Sequence, residues 1–391
     1  MAKKKANNQI FRKFFESEKS SGLTLIAFTV LSLLLANSSI KENYTAFWEY
    51  TLAGLSIEHW INDGLMAVFF LLVGLELKRE FLVGELSSLK KATLPIFSAV
   101  GGMLIPAGIF ILINLGKPGI TGFGIPMATD IAFALGALSL LGNKVPTSVK
   151  VFLTALAVID DLGAIVVIAV FYTKAIFWIN LLIALGIFAG LLLLNKLKVT
   201  SLWIYLPLGI GMWYFMHHSG IHATITGVLL ALAIPSSGKD PDAHSPSDRL
   251  QEALHYPVPF IILPLFALVN TAIEIGPGWD KALFESASLG IILGLVGGKP
   301  IGIFLFTWLS IRLKIADKPA GTTWSQLFGV GILGGIGFTM SIFVTILAFN
   351  DHTIINDSKF AILISSLLAG LIGYVWLKIS FKRSRQARKS N

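Results

Sequence analysis

The sequence predicts an all-α polytopic membrane protein of about twelve transmembrane helices, and three observations carry that expectation. The 391 residues are 54% hydrophobic and only 14% charged, whereas a soluble domain carries about 25% charged residues. Apolar runs recur along the whole length, close to the roughly 20 residues that cross a bilayer as a helix. Lys and Arg collect at the chain ends and in alternate connections, as the positive-inside rule requires of a multi-pass protein.

The spans fall near 22–36, 60–77, 94–115, 120–141, 149–173, 179–195, 201–217, 221–235, 255–275, 287–311, 325–349 and 359–379. An even number puts both termini on one side. That side then receives 25 Lys and Arg and the other side 5, which with Lys299 account for all 31. Both termini are therefore expected in the cytoplasm. The chain reads as one integral-membrane domain, 1–391, with short basic tails at about 1–20 and 380–391. Lys3–Lys5 before Gly22–Ala36 imitates a signal peptide, but no small-x-small cleavage pattern follows. The net charge of +9 belongs to these rims and marks a bilayer partner, not nucleic acid. With no Cys, disulfides and thiolate metal sites are excluded.

Asn37–His59 is a polar outer connection, long enough for a hairpin or a homodimer contact. Asn62 and Asp63 stand near the outer end of span two, and Glu76-Leu77-Lys78-Arg79-Glu80 closes it on the cytoplasmic side. In span four, Gly119, Gly122, Gly124 and Pro126 precede Ala128-Thr129-Asp130. Gly weakens a helix and Pro cannot donate to it, so a break is predicted near 126–130. Broken backbone survives in a membrane only where protein or a wet cavity satisfies it. Asp130 then heads the second half-helix, where negative charge offsets the positive dipole end.

Span five carries the most informative feature. Val151–Tyr172 has only two ionisable side chains, Asp160 and Asp161, adjacent and near its centre. Each costs roughly 2.5–3.5 kcal/mol at a helix centre on insertion scales. A structural helix has no use for that cost, so the pair reads as an ion or proton site. Span ten holds Gly297-Gly298-Lys299-Pro300 in an apolar run. The Lys299 ammonium needs a carboxylate or carbonyls from another segment. Asp130, Asp160 and Asp161 are available, with one of the adjacent pair favoured. Span eleven repeats the irregularity of span four: Gly329, Gly331, Gly334, Gly335 and Gly337 precede Thr339 and Ser341. Two glycine-interrupted spans in matching halves point to a transporter site. Their opposite directions suit inverted repeats, spans three to five matching ten to twelve. His222 opens span eight. Ser236–Leu254 is the most polar cytoplasmic loop, with Asp240, Asp242, His244, Asp248, Arg249 and Glu252, and His255 follows it. Such a loop suits a pH-sensitive surface, since His titrates near neutrality. The Lys382–Lys389 tail faces lipid headgroups.

These strings resemble the NhaA family of sodium–proton antiporters over residues 10–380. The matching segments are Asn62–Phe70 with Gly74–Glu80, Ala128–Phe133, Ala155–Ala164, Gly298-Lys299-Pro300 and Gly335–Ser341. The resemblance implies twelve helices, with spans four and eleven unwound at mid-membrane and crossing. It implies that Asp161 and Asp160 bind Na+ or protons in an ion-binding and transport site shared with Thr129, Asp130 and Lys299, with Gly337 and Thr339 in the unwound region. Asp130 would balance facing half-helix N-termini. Lys299 would balance the C-termini and pair with Asp160. Asp63 goes to the outer funnel, and Glu76, Arg79, His222 and the loop after span eight, with Glu252 and His255, go to pH response. Some members of the family read Arg-Leu-Glu-His there, where this chain has Arg249-Leu250-Gln251-Glu252, so the carboxylate is displaced by one position.

One site that holds either sodium or protons, and opens to one side at a time, exchanges them without further machinery. The expected activity is electrogenic, pH-regulated exchange of cytoplasmic Na+ or Li+ for external H+, with no cofactor beyond the transported ions. A sodium-coupled solute symporter would need an organic-substrate pocket. A channel is disfavoured by a buried Lys beside the carboxylates. An intramembrane aspartyl protease needs two carboxyls facing each other, and neighbours on one helix point about 100° apart. No Gly-x-Gly-Asp string occurs.

Overall fold

The computed structural model describes residues 2–84, 86–173, 175–236 and 245–390. In chain order its longer helices are α1 (Ala2–Ala36), α2 (Lys41–Glu49), α3 (Ile57–Leu82), α4 (Leu89–Ile113), α5 (Ile131–Ser139), α6 (Thr147–Phe171) and α7 (Trp178–Lys196). They continue with α8 (Leu202–His217), α9 (Ile225–Ala233), α10 (Pro246–Asn270), α11 (Ser286–Arg312), α12 (Trp324–Gly334), α13 (Phe338–Ala348) and α14 (His352–Ser390). A short antiparallel hairpin, β1 (Thr51–Leu52) with β2 (Leu55–Ser56), precedes α3. A 3-10 segment, Pro118–Met127, precedes α5.

Eight helices are long and apolar enough to cross a bilayer: α1 from Lys19 onward, α3, α4, α6, α7, α10, α11 and α14. Two further pairs qualify jointly. Pro118–Met127 and α5 are bent by 43° at their break, and α12 and α13 by 44°. That gives up to ten spans among the described residues, where the sequence predicts twelve. The other two expected spans correspond to α8, with 16 residues, and α9, with nine. Both fall short of the roughly 20 residues that cross the hydrocarbon. α9 starts late because the chain turns over residues 218–224, where Gly220 takes a φ of +84°.

Part of the polar stretch expected as a loop after span eight, Pro246–Leu254, is helical. Residues 237–244, with Asp240, Asp242 and His244, lie outside the described residues. The remainder opens α10. The Ser245 hydroxyl accepts from the Asp248 N–H and the Asp248 carboxylate accepts from the Ser245 N–H, a reciprocal cap that starts a helix even in polar sequence. Glu252 therefore lies on a helix.

The chain forms two compact units. The first gathers Met1–Leu33, Leu89–Ala164 and Ile273–Asn391. Both bent pairs belong to it. Its α4 and α11 meet backbone to backbone: a Cβ on Gly302 would fall on the Gly101 carbonyl oxygen, the close approach that small residues permit in a membrane. The Ser98 and Thr307 hydroxyls share a 2.6 Å hydrogen bond across the same seam.

The second unit gathers Leu34–Ser88 and Ile165–Ala272. Its α3 and α9 pack the same way, for a Cβ on Gly227 would fall on the Ala67 carbonyl. Leu71, Leu75, Tyr205, Met212 and Leu230 form its apolar core. Asn270 Nδ2 donates to Asn62 Oδ1 at 2.7 Å. The outward faces stay apolar, with Trp203 88% exposed and Ile179 77% exposed, as lipid contact requires and water would not favour.

Candidate functional site: a charged centre between broken helices

The polar centre of the first unit is built on the two breaks. Pro118–Met127 ends as Ala128, Thr129 and Asp130 leave helical geometry, and Asp130 caps α5. α12 ends at Gly334, with Gly335 as its cap, and α13 begins after Gly337. Proline and glycine in these stretches release backbone groups that a continuous helix would satisfy internally. The centre uses them. The Asp130 N–H donates to the Ile336 carbonyl at 2.7 Å, which joins the two breaks directly.

Asp130 serves two helix starts at once. One carboxylate oxygen accepts the Phe133 N–H at 2.9 Å in the first turn of α5. The other accepts the Thr339 N–H at 3.1 Å and the Thr339 hydroxyl at 2.5 Å in the first turn of α13. Each helix N-terminus carries about half a positive elementary charge, so a single carboxylate offsets both. The Ser341 hydroxyl donates to the Ile125 carbonyl at 2.7 Å and the Ser366 hydroxyl accepts the Phe338 N–H at 3.0 Å, so two further backbone groups nearby are also paired.

Lys299 has the opposite task. It is fully buried and follows the π-helical turn Leu293–Gly298 of α11. Its ammonium donates to the Met127 carbonyl, at the end of the 3-10 segment, and to Asp160 Oδ2 at 2.6 Å. Asp160 and Asp161 are both 1% exposed on α6. Asp161 lies near enough for its charge to act on Lys299. The Thr129 hydroxyl lies 2.6 Å from Asp160 Oδ2 and 2.9 Å from the Gly334 carbonyl at the end of α12. It has one hydrogen, so it can serve only one of these acceptors at a time. Asp160 Oδ1 is sealed from solvent and accepts no hydrogen bond among the described residues. A buried carboxylate oxygen with unused lone pairs is a place for a proton or a hard cation.

Asp130, Thr129, Asp160, Asp161, Lys299, Gly337 and Thr339 thus belong to one centre in one unit. Asp63, Glu76, Arg79, His222, Glu252 and His255 belong to the other unit. Glu76 is half-buried, and the charges of Arg79 and Glu80 act on it with opposite sign. His222 Nε2 donates to the Tyr172 carbonyl at 2.9 Å. Glu252 is exposed and His255 half-buried on α10.

The family model described as Na+/H+ antiporter 1 matches residues 12–377. The Na(+)/H(+) antiporter NhaA of Flavobacterium psychrophilum is 61% identical over 375 residues, covering 96% of this chain and 97% of that protein. The NhaA antiporter of Cytophaga hutchinsonii is 58% identical, with 96% of each chain covered. That of Dechloromonas aromatica is 56% identical, with 97% of this chain and 98% of the relative covered. The chain belongs to the NhaA family of Na+/H+ antiporters.

Membership makes the chain a multi-pass transporter of an antiporter family and not an enzyme. Sequence reasoning overlooked three polar residues in this NhaA-family chain. Lys78 reads as rim charge, yet its ammonium donates to the Ala231, Leu232 and Ile234 carbonyls at the C-terminal end of α9. A Lys beside a helix C-terminus is a recognised cap, but only the fold brings α9 to it. His59 and His217 lie far apart in sequence, each at a helix end, and both contact Asp63.

Proposed function

We propose that the chain exchanges Na+ or Li+ for H+ across a bacterial inner membrane, with Asp160 and Asp161 as the shared cation and proton site. The observation that carries this reading is the state of Asp160. One oxygen is held by Lys299 and Thr129, and the other is sealed and unused. Hard cations take oxygen ligands, and this centre offers carboxylates beside backbone carbonyls freed by two broken helices.

With protons bound, Asp161 is a neutral carboxyl and the Asp160 carboxylate faces the Lys299 ammonium. Sodium entry ionises Asp161 and takes the Asp160 carboxylate from Lys299, which gives up its proton. Two protons then leave as one sodium enters, and the exchange moves net charge. Thr129 turns its single hydrogen to the Gly334 carbonyl when sodium occupies the Asp160 oxygens. Asp130 keeps the two half-helix starts in place throughout.

Several finer features belong to the same reading. α8 and α9 complete twelve spans, the two bent pairs cross near mid-membrane, and spans three to five repeat as spans ten to twelve in inverted sense. The two units act as one transport domain with both termini cytoplasmic. The 37–59 connection forms the contact of a homodimer in the bilayer. Glu76, Arg79, His222, Glu252 and His255 set the pH response, and Asp63 lines the outer approach.

The test is addition of Na+, Li+ or K+ to everted vesicles that hold a proton gradient. Na+ and Li+ should dissipate the gradient, and an imposed membrane potential should drive the exchange. Dissipation by K+ alone, or a requirement for an organic solute, would overturn the reading. Exchange indifferent to voltage would overturn the two-for-one coupling.

A further inference from the structure

The second unit holds a second polar cluster whose chemistry differs from that of the carboxylate centre. His59 ends the first turn of α3, Asp63 lies four residues on within the π-helical turn Trp60–Leu65, and His217 ends α8. Asp63 Oδ2 is 3.2 Å from His59 Nε2 and 3.4 Å from His217 Nδ1. One donor atom from each residue lies within 4.8 Å of the other two. His59 Nε2 is sealed from solvent and faces Asp63 without well-directed hydrogen-bond geometry, so this nitrogen is turned into the cluster.

We infer that His59, Asp63 and His217 form a binding site for a divalent transition-metal ion of the zinc type. Two imidazoles and one carboxylate with an open fourth position is a recurrent zinc ligand set. Metal–ligand bonds of about 2.0–2.2 Å place tetrahedral ligand atoms about 3.3 Å apart, and two of the three separations already have that value. Closing the third needs only a small turn of two imidazoles whose centroids stand 5.2 Å apart. The supporting contacts that orient metal ligands are also present. Trp213 Nε1 donates to the Asp63 carbonyl at 3.3 Å, and the Trp213 ring stacks on His217 at 5.6 Å and on Trp60 at 5.7 Å. The three side chains are between about a fifth and two-fifths exposed, so the cluster lies at the edge of the unit, with the His59 nitrogen on its inner side. Sodium prefers all-oxygen ligands and has no advantage here, while imidazole nitrogen favours zinc. A bound metal ties the end of α8 to the start of α3.

The site goes beyond the antiport reading, and its test does not depend on transport. Zn2+ is titrated into the purified full-length protein in detergent against a chromophoric zinc competitor, with melting temperature followed in parallel. One Zn2+ per chain is expected, with a rise in melting temperature. Ca2+, which takes six to eight oxygen ligands, should not substitute. His217→Gln and His59→Gln should each weaken binding by about 100-fold or more, since even an outer supporting contact is worth about 10- to 100-fold. Both should abolish the zinc-dependent rise in melting temperature. His218→Gln is the control, because His218 is exposed and its Nδ1 donates to the Tyr214 carbonyl at 2.9 Å; it should bind zinc as the parent does. Absence of stoichiometric zinc binding in the parent would overturn the inference. So would binding that survives the His59→Gln, His217→Gln double variant, or is lost equally in His218→Gln. Variants that keep the parent's melting temperature without zinc show that lost binding is not lost folding.

Discussion

Two lysines, one in each unit, donate to carbonyls at the C-terminal ends of helical segments. Lys78 caps α9 through three carbonyls and is half-buried. Lys299 donates to the Met127 carbonyl and is fully buried. Only Lys299 also meets a carboxylate, Asp160. The two contacts look alike from the helix end, since a cation offsets the negative dipole end in each case. The difference lies in what else can change. Lys78 faces carbonyls alone, whose charge is fixed. Lys299 faces a group that can take a proton or a cation in its place. On the proposed exchange, one lysine holds structure, while the other sits at a junction where structure and ion occupancy compete.

The largest effect should fall on the carboxylate that no helix end requires. Asp161→Asn should abolish Na+- and Li+-driven dissipation of a proton gradient in vesicles, while the protein inserts and remains monodisperse in detergent. Its side chain is buried on an uninterrupted helix, so the amide loses charge without loosening a cap. Exchange at the parent's rate and apparent affinity would show that the centre's chemistry lies elsewhere.

The comparison sharpens if Lys299 and Asp160 depend on each other. Removing one partner of a buried ion pair leaves an uncompensated charge and costs about 3–5 kcal/mol. Lys299→Ala and Asp160→Asn should each lower melting temperature, and the double variant should recover much of the loss. A double-mutant cycle separates this from independent effects. Additive losses would reduce Lys299 to a helix cap like Lys78. The double variant should also exchange one proton fewer per sodium, so an imposed voltage should no longer drive it.

The parts of this centre visible in the sequence are those that an apolar background makes conspicuous. Asp130, Asp160, Asp161 and Lys299 each interrupt a hydrophobic run, and the glycines and Pro126 announce the breaks at 128–130 and 335–337. The hydrogen-bond pattern was not visible, because it depends on which freed backbone groups face one another. Thr129 reaching the Gly334 carbonyl and Asp130 reaching Thr339 connect segments remote in sequence. His59 and His217 stayed hidden for the same reason, since a histidine at a helix end is unremarkable until its neighbours are known. The helical start of α10 was legible in principle: Ser245, Pro246 and Asp248 spell a cap with proline in the first turn. Its polarity concealed it, as hydropathy outweighs capping signals in a membrane chain. α8 and α9 show the converse. Their apolar runs are long, but the turn at Gly220 shortens the helix that follows.

Asp130 should tolerate neutralisation better than Asp161. An asparagine amide oxygen still accepts from Thr339 or from Phe133, though not from both, because they use different carboxylate oxygens, and the dipole compensation, about 0.3–1 kcal/mol per exposed helix end and up to about 2 when partly buried, is lost. Asp130→Asn should therefore keep measurable exchange with a weakened apparent affinity for sodium. A more severe defect than that of Asp161→Asn, in matched vesicles, would exchange the roles of the two residues.

The smallest effect should come from Lys78, and it is the most direct check on the contrast between the lysines. Lys78→Met keeps the aliphatic stem and removes the three donors, leaving the last carbonyls of α9 to find other partners. Hydrogen bonds involving a charged group are worth about 1.5–3 kcal/mol, and partial access of water at this half-buried position should bring the loss toward the lower figure. Melting temperature should therefore fall less than for Lys299→Ala. The number of protons exchanged per sodium should not change, because no carboxylate depends on Lys78 for its charge balance. Lys78→Arg should recover part of the stability, since a guanidinium can also donate to clustered carbonyls. If Lys78→Met instead altered the coupling ratio or removed the response to voltage, the distinction between a lysine that caps and a lysine that couples would fail. Charge at the end of α9 would then belong to the transport cycle.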